Sequence, residues 1–305
     1  MSTPVNAAPE VHSIAPAQAL ATRPFFWSVR RELWEHRLTY VGPLVAAVVF
    51  LFGYMINLIM TRHRMHGGWV SDSAKHYEGL AAPYEFAAAL IMGTAFIVGI
   101  FYSLDALYGE RRDRSILFWK SMPVSDVTAV LAKVTVPLAI LPLLSFAITL
   151  VTQILMLLLS SVILLGSGVS PAMLWHHSSF LQFSVMLLYH IVTVHGLWYA
   201  PMYGWLLFVS AWAPRAPFIW AFLPPFVVCG VEKLAFDSTH FLNMLARRLM
   251  GPESPATEHA KNAMDAMTSL GPLQFFVLPG LWIGLAIAAA FLIAAVRLRR
   301  SRGPV

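Results

Sequence analysis

From Val134 through Pro214 the chain carries no Asp, Glu, Lys or Arg. No water-facing surface folds from a run of that length, because a soluble domain draws about a quarter of its residues from those four types. The run is long enough for two membrane crossings and a short polar turn, since about 20 helical residues span a hydrocarbon core of roughly 30 Å. The remainder agrees: the chain is 58% hydrophobic and 12% charged, with a mean hydropathy of +0.67. A bilayer core offers no water to backbone polar groups, and an α-helix pairs nearly all of them within its own segment. The expectation is therefore an all-α polytopic membrane protein with about six transmembrane helices and an N-terminal interfacial helix.

The first span is expected over Leu38–Met60 and the second over Phe86–Leu104, bracketed by Glu85 and Asp105. The third covers Val134–Leu165, with Pro137 and Pro142 near its start, and closes on the turn Gly166–Pro171. Phe180–Ala211 holds the fourth and is too long for a perpendicular helix, so it tilts, bends near Pro201 or protrudes. Ala216–Val231 is the fifth, short and interrupted by Pro224-Pro225, and Leu273–Val296 is the sixth. Residues 23–305 thus form one transmembrane domain. Residues 1–22, rich in Ala and Pro and lacking the basic start and apolar core of a signal peptide, read as a flexible cytoplasmic tail.

Six crossings put both termini on one side. Of the 21 Lys and Arg residues, 14 then lie on that side and 7 on the other. The positive-inside rule makes the richer side cytoplasmic, so the expected location is the inner membrane with both termini in the cytoplasm. The net charge of +6 sits beside the apolar runs and serves orientation; no nucleic-acid partner is implied. Cys229 is the single cysteine, which excludes an intramolecular disulfide and leaves a cysteine zinc site unsupported.

Three segments outside the spans have character. In Pro24–Arg37, Phe26, Val29, Leu33 and Trp34 recur at helical spacing with the charges mostly elsewhere, which predicts an amphipathic interfacial helix. Asp105–Lys133 is charge-dense; one helix ends at Pro123 and another starts with Ser125 or Asp126 as N-cap. It offers Glu110, Arg111, Arg112, Asp113 and Arg114, followed by the apolar patch Ile116, Leu117, Phe118 and Trp119, a composition found in protein-binding hot spots. In the outer loop 232–272, Asp237 or Ser238 is positioned to cap a helix running to Leu249.

Chemistry is sparse. The histidines His176, His177, His190 and His195, with His63 and His66 outside, are the best candidates for a metal or haem. His190 and His195 are five apart, about 140° around an α-helix, and so are expected on different faces. The spans carry no Asp or Glu for a protease or a coupling-ion site, and Asn57 and Gln153 are the strongest polar groups at depth. Gly280 and Gly284 form a GxxxG, extended by Ala288, suited to close helix packing. No GxxxxGK[ST] occurs, so ATP hydrolysis by that route is excluded and no catalytic residue is assigned.

Tyr108-Gly-Glu-Arg-Arg-Asp-Arg-Ser-Ile-Leu-Phe-Trp-Lys-Ser-Met-Pro-Val-Ser-Asp126 resembles the loop after the second span in the type 2 ATP-binding-cassette (ABC) exporter permeases. Arg30-Arg-Glu-Leu-Trp-Glu-His-Arg37 is similar to that family's N-terminal helix, and the resemblance extends over nearly the whole chain. It implies a half-transporter: two such chains, identical or not, in membrane lipid, with a separate nucleotide-binding ATPase subunit that holds ATP and Mg. No cofactor is then expected in this chain. The loop 105–133 would carry the coupling helix, with Glu110, Arg111, Arg112, Asp113, Arg114, Trp119 and Lys120 as the contacts to that subunit. The resemblance assigns no substrate residues, no cargo and no direction of transport. The rival readings are a membrane-embedded enzyme using metal or histidine, and a membrane anchor or assembly subunit.

Overall fold

The structure, a computed structural model, describes residues 24–65, 73–121, 124–165, 180–251 and 272–302. Helix α1 (Pro24–Glu35) precedes α2 (Leu38–Met65) and α3 (Ser73–Asp105). Two short helices follow, α4 (Tyr108–Arg112) and α5 (Ser115–Ser121). Helix α6 (Asp126–Thr135) runs through a π-helical stretch, Val136–Ile140, into α7 (Leu141–Leu165). Helix α8 (Phe180–His190) widens into a second π-helical stretch, Ile191–Trp198, before α9 (Ala200–Trp212). Then come α10 (Pro217–Phe236), α11 (His240–Met250), α12 (Pro272–Val277) and α13 (Pro279–Ser301). No strand occurs among the described residues. The tail 1–22, the turn 166–171, His66, His176, His177 and residues 252–271 of the long loop lie outside them.

The architecture is all-α and polytopic, as expected. Among the described residues, five helical segments are long and apolar enough to cross a membrane: Leu38–Met60, Ala82–Arg112, Asp126–Leu165, Pro217–Phe236 and Pro279–Ser301. The pair Gln182–Trp198 and Ala200–Trp212, bent by 45°, makes a sixth when counted as one crossing. The bend falls at Tyr199, two residues before Pro201, whose missing N–H cannot continue the helical ladder. The chain widens there: the Tyr199 amide donates to the Val194 carbonyl, five residues back, at 2.9 Å.

The fifth crossing differs from expectation. Pro224 and Pro225 do not interrupt it, and α10 continues from Pro217 to Phe236. A proline at 225 withdraws the donor owed to the Ala221 carbonyl. That carbonyl instead accepts from Trp205 Nε1 on α9 at 3.0 Å, so the freed backbone group is satisfied by a neighbouring helix. The second crossing also departs from its expected bounds, because α3 starts thirteen residues before Phe86 and carries Pro83 inside it.

Helix α9 is the axis of the bundle, packed along α13 and against α3. Tyr203, Leu206, Leu207 and Val209 are buried on it. The close approach to α13 rests on Gly204, where a Cβ would meet the Ala288 carbonyl oxygen at 3.2 Å. Around this core, α2 turns Val41, Leu44, Val45, Val48, Val49 and Phe52 outward, the pattern of a lipid-facing helix.

Helix α1 is amphipathic, but its polar side faces inward. Phe25, Phe26, Trp27 and Trp34 are exposed, Val29 and Leu33 are half-buried, and Glu32 is the innermost residue. The reason lies on α6, against which α1 packs: Lys133 there offers the charge that Glu32 needs.

Candidate functional site

The segment between α3 and α7 is built around one hydroxyl. Ser210, near the end of α9, accepts hydrogen bonds from the amides of Leu107 (3.0 Å) and Tyr108 (2.9 Å) and donates to the Leu104 carbonyl (2.7 Å). It thus satisfies backbone groups that the break between α3 and α4 leaves open. Arg111 completes the joint from the other side. Its Nη2 donates to the carbonyls of Ser210 (3.0 Å) and Ala213 (2.6 Å), capping the C-terminal end of α9.

Next to this joint lies a buried ionic network drawn from five helices. Glu110 on α4 accepts from Arg31 on α1 at 2.7 Å and from Arg299 on α13 at 3.2 Å, with Lys133 Nζ on α6 at 3.1 Å. Lys133 donates to Glu32 at 2.8 Å, and the Tyr102 hydroxyl on α3 donates to the same carboxylate at 2.9 Å. Arg299 also binds Asp126 on α6. Three acids face three bases, so the cluster is internally neutral, the condition under which charges tolerate burial. For Arg31, burial opposes the charged form, but Glu32, Glu35 and Glu110 outweigh it and raise its pKa above the ordinary guanidinium value.

The sequence-predicted contacts divide into two groups. Glu110 and Arg111 are buried and spend their hydrogen bonds inside the chain, so they present nothing to a partner; their role is to hold the segment. Trp119 is half-buried beneath Arg31, whose guanidinium carbon lies 3.5 Å from the ring centroid. Lys120 reaches the carbonyls of Arg300 (3.4 Å) and Arg302 (3.2 Å) at the end of α13. Arg112, Asp113 and Arg114 are exposed. The expected apolar patch also splits, because Ile116 is an inward anchor, 1% exposed, while Leu117 and Phe118 are 58% and 60% exposed. Arg114 holds a left-handed φ of 57° between α4 and α5, which swings α5 away from the axis of α4.

Ser125 rather than Asp126 is the N-cap of α6, accepting from the Thr128 amide at 3.1 Å. Sequence reasoning missed Glu32, Tyr102, Lys133, Ser210 and Arg299. A charge-free run beginning right after Lys133 marks that residue as a span boundary, and nothing local says that it points inward.

The histidines are arranged otherwise than an α-helix predicts. Because residues 191–198 are π-helical, residues five apart stack over one another. The rings of His190 and His195 have centroids 5.7 Å apart, and His195 and Tyr199 are 5.2 Å apart. The metal-capable cluster among the described residues is Glu32, Glu35 and His36, and there Lys133, Tyr102 and Arg31 already occupy the two carboxylates. Compared with models of known protein families, with curated proteins and with solved structures, the chain matches none.

Proposed function

We propose that this chain is the permease subunit of an ATP-driven exporter of the type 2 ABC class. Two such chains line the pathway, and a separate subunit that binds ATP and Mg docks on α4 and α5. On this reading the membrane is the inner membrane, α5 faces the cytoplasm, and both termini lie on that side, a placement that the 14 to 7 distribution of Lys and Arg supports.

The observation that carries the proposal is the union of an exposed face with a buried clamp. Leu117 and Phe118 stand out beside Arg112, Asp113 and Arg114, the mix of apolar and cationic groups that anchors protein interfaces. Behind them Glu110 joins α4 to α1, α6 and α13 through ion pairs that water does not screen. A push on α5 would pass through α4 to the three other elements that Glu110 clamps. The loop sequence from Tyr108 to Asp126, similar to that of the exporter permeases, supports an ATPase subunit as the partner that pushes.

The test is isolation of the full chain from its native membrane. A nucleotide-binding ATPase is expected to co-purify, and Phe118→Asp or Leu117→Asp is expected to weaken that association on the order of thirtyfold or more, as loss of an interfacial anchor does. Undiminished co-purification with both variants, or labelling of Arg114→Cys from the outer face, sinks the proposal.

A further inference from the structure

Helix α1 presents two opposite faces, one tied into the bundle and one free. Glu32, two residues from both Arg30 and Trp34, lies about 160° from each around the helix and is held by Lys133 and the Tyr102 hydroxyl. On the other side Trp27, Arg30 and Trp34, spaced three and four residues apart, fall within about 60° of one another. Trp27 and Trp34 are 55% and 65% exposed, and Phe26 stands exposed beside them. The Arg30 guanidinium carbon lies 5.2 Å from the Trp27 ring centroid and 4.6 Å from that of Trp34, held by the indoles one turn before and one turn after it.

The cations of this face meet no acid of the chain. Glu35, the exposed acid of α1, is bound to Arg31 at 3.0 Å. Among the described residues no carboxylate pairs with Arg30, or with Arg37, which is exposed in the joint to α2. That joint is only two residues long and is fixed. The His36 amide donates to the Glu32 carbonyl at 3.0 Å, and its ring packs edge-on against Tyr102 with centroids 4.9 Å apart. Helix α1 is thereby set where the first crossing begins and its outward residues meet lipid. Indoles favour that depth, and an arginine there lies at the level of the headgroups.

We infer that the outer face of α1 binds anionic phospholipid in the leaflet on its own side of the membrane. Phe26, Trp27 and Trp34 enter the boundary between headgroups and acyl chains, and Arg30 and Arg37 donate to phosphate oxygens. Charge complementarity selects the lipid: two reachable cations lack a partner in the chain, and an anionic leaflet offers one beside the apolar phase that the indoles need. Because Glu32 on the same helix is clamped to Lys133, lipid that holds α1 also steadies the ionic network. This site stands apart from the permease reading, since it requires neither ATP nor a second chain.

The experiment titrates the full chain in detergent with phosphatidylglycerol or phosphatidylcholine and reads binding by native mass spectrometry. Wild type is expected to hold phosphatidylglycerol more tightly. Arg30→Gln and Arg37→Gln should each lower that affinity about fivefold, the effect of one cation at an anionic surface, with phosphatidylcholine unchanged. Lys233→Gln, the same loss of charge at the far end of α10, should leave the preference intact. Trp34→Ala removes no charge yet is expected to weaken phosphatidylglycerol, which a diffuse charge effect would not do. Equal retention of both lipids by wild type overturns the inference, as does an undiminished preference in Arg30→Gln with Arg37→Gln. So does an equal loss in Lys233→Gln, unchanged binding in Trp34→Ala, or a dimer that Trp34→Ala dissolves, which would seat a second copy on this face. Binding is read without the ATPase, so loss of co-purification at α5 leaves this result standing, and the reverse.

Discussion

Lys133 donates to Glu32 at 2.8 Å, with each side chain only 2% exposed, and the pair joins the helix before the first crossing to the helix that opens the third. Glu110, 3.1 Å from the same ammonium, makes Lys133 the shared cation of two carboxylates. Removing one charge from such a cluster strands the others without water.

Lys133→Met is therefore expected to destabilise the chain by about 3–5 kcal/mol, visible as a large fall in the thermal midpoint of the detergent-solubilised protein. Adding Glu32→Leu to Lys133→Met should recover part of the loss, because the stranded carboxylate is gone. A double variant that simply sums the two single losses would show that the pair is not coupled.

Ser210→Ala leaves the amides of Leu107 and Tyr108 without their acceptor. The expected cost is about 1–3 kcal/mol, concentrated at the α3–α4 joint. Hydrogen exchange should speed up over residues 105–112 while α13 keeps its protection. Uniform loosening of the whole chain would argue against a local joint.

Trp205→Phe removes the donor that satisfies the Ala221 carbonyl. On the wild-type background the cost should be about 1–3 kcal/mol. In a Pro225→Ala background the restored amide supplies that carbonyl from within α10, so the same substitution should become nearly neutral. An equal penalty in both backgrounds contradicts the account of how α10 tolerates Pro225.

Arg114 pays for a left-handed backbone between α4 and α5. Arg114→Gly is expected to stabilise the segment by about 1 kcal/mol, and Arg114→Val to destabilise it by more than that. Limited proteolysis between α4 and α5 reads both, with cleavage slower in the glycine variant and faster in the valine variant.

Much of the fold is legible in the string of residues. The absence of charge from Val134 to Pro214 demands helices in lipid, and Ser125 followed by Asp126 marks the start of α6. The candidate docking segment is legible as well, since Arg112, Asp113 and Arg114 are consecutive and Leu117 and Phe118 close by. Orientation within it is not. Glu110 and Arg111 read like their neighbours, yet one is turned to α1, α6 and α13 and the other to the end of α9. The prolines mislead in the same way: Pro224-Pro225 signals a break by local rules, yet α10 continues, with Trp205, twenty residues before Pro225, supplying the donor that Pro225 lacks.

What the sequence determined by itself is the solvent and the helical class of the spans, because transfer into hydrocarbon and intrahelical hydrogen bonding depend mostly on residues within a turn or two. The tertiary structure alone decided which charges are buried together. Arg31 meets Glu110 across 79 positions, Lys133 meets Glu32 across 101, and Arg299 meets Glu110 across 189. A buried ion gains its stability from the specific partner beside it, and which partner stands there is settled only when the helices pack.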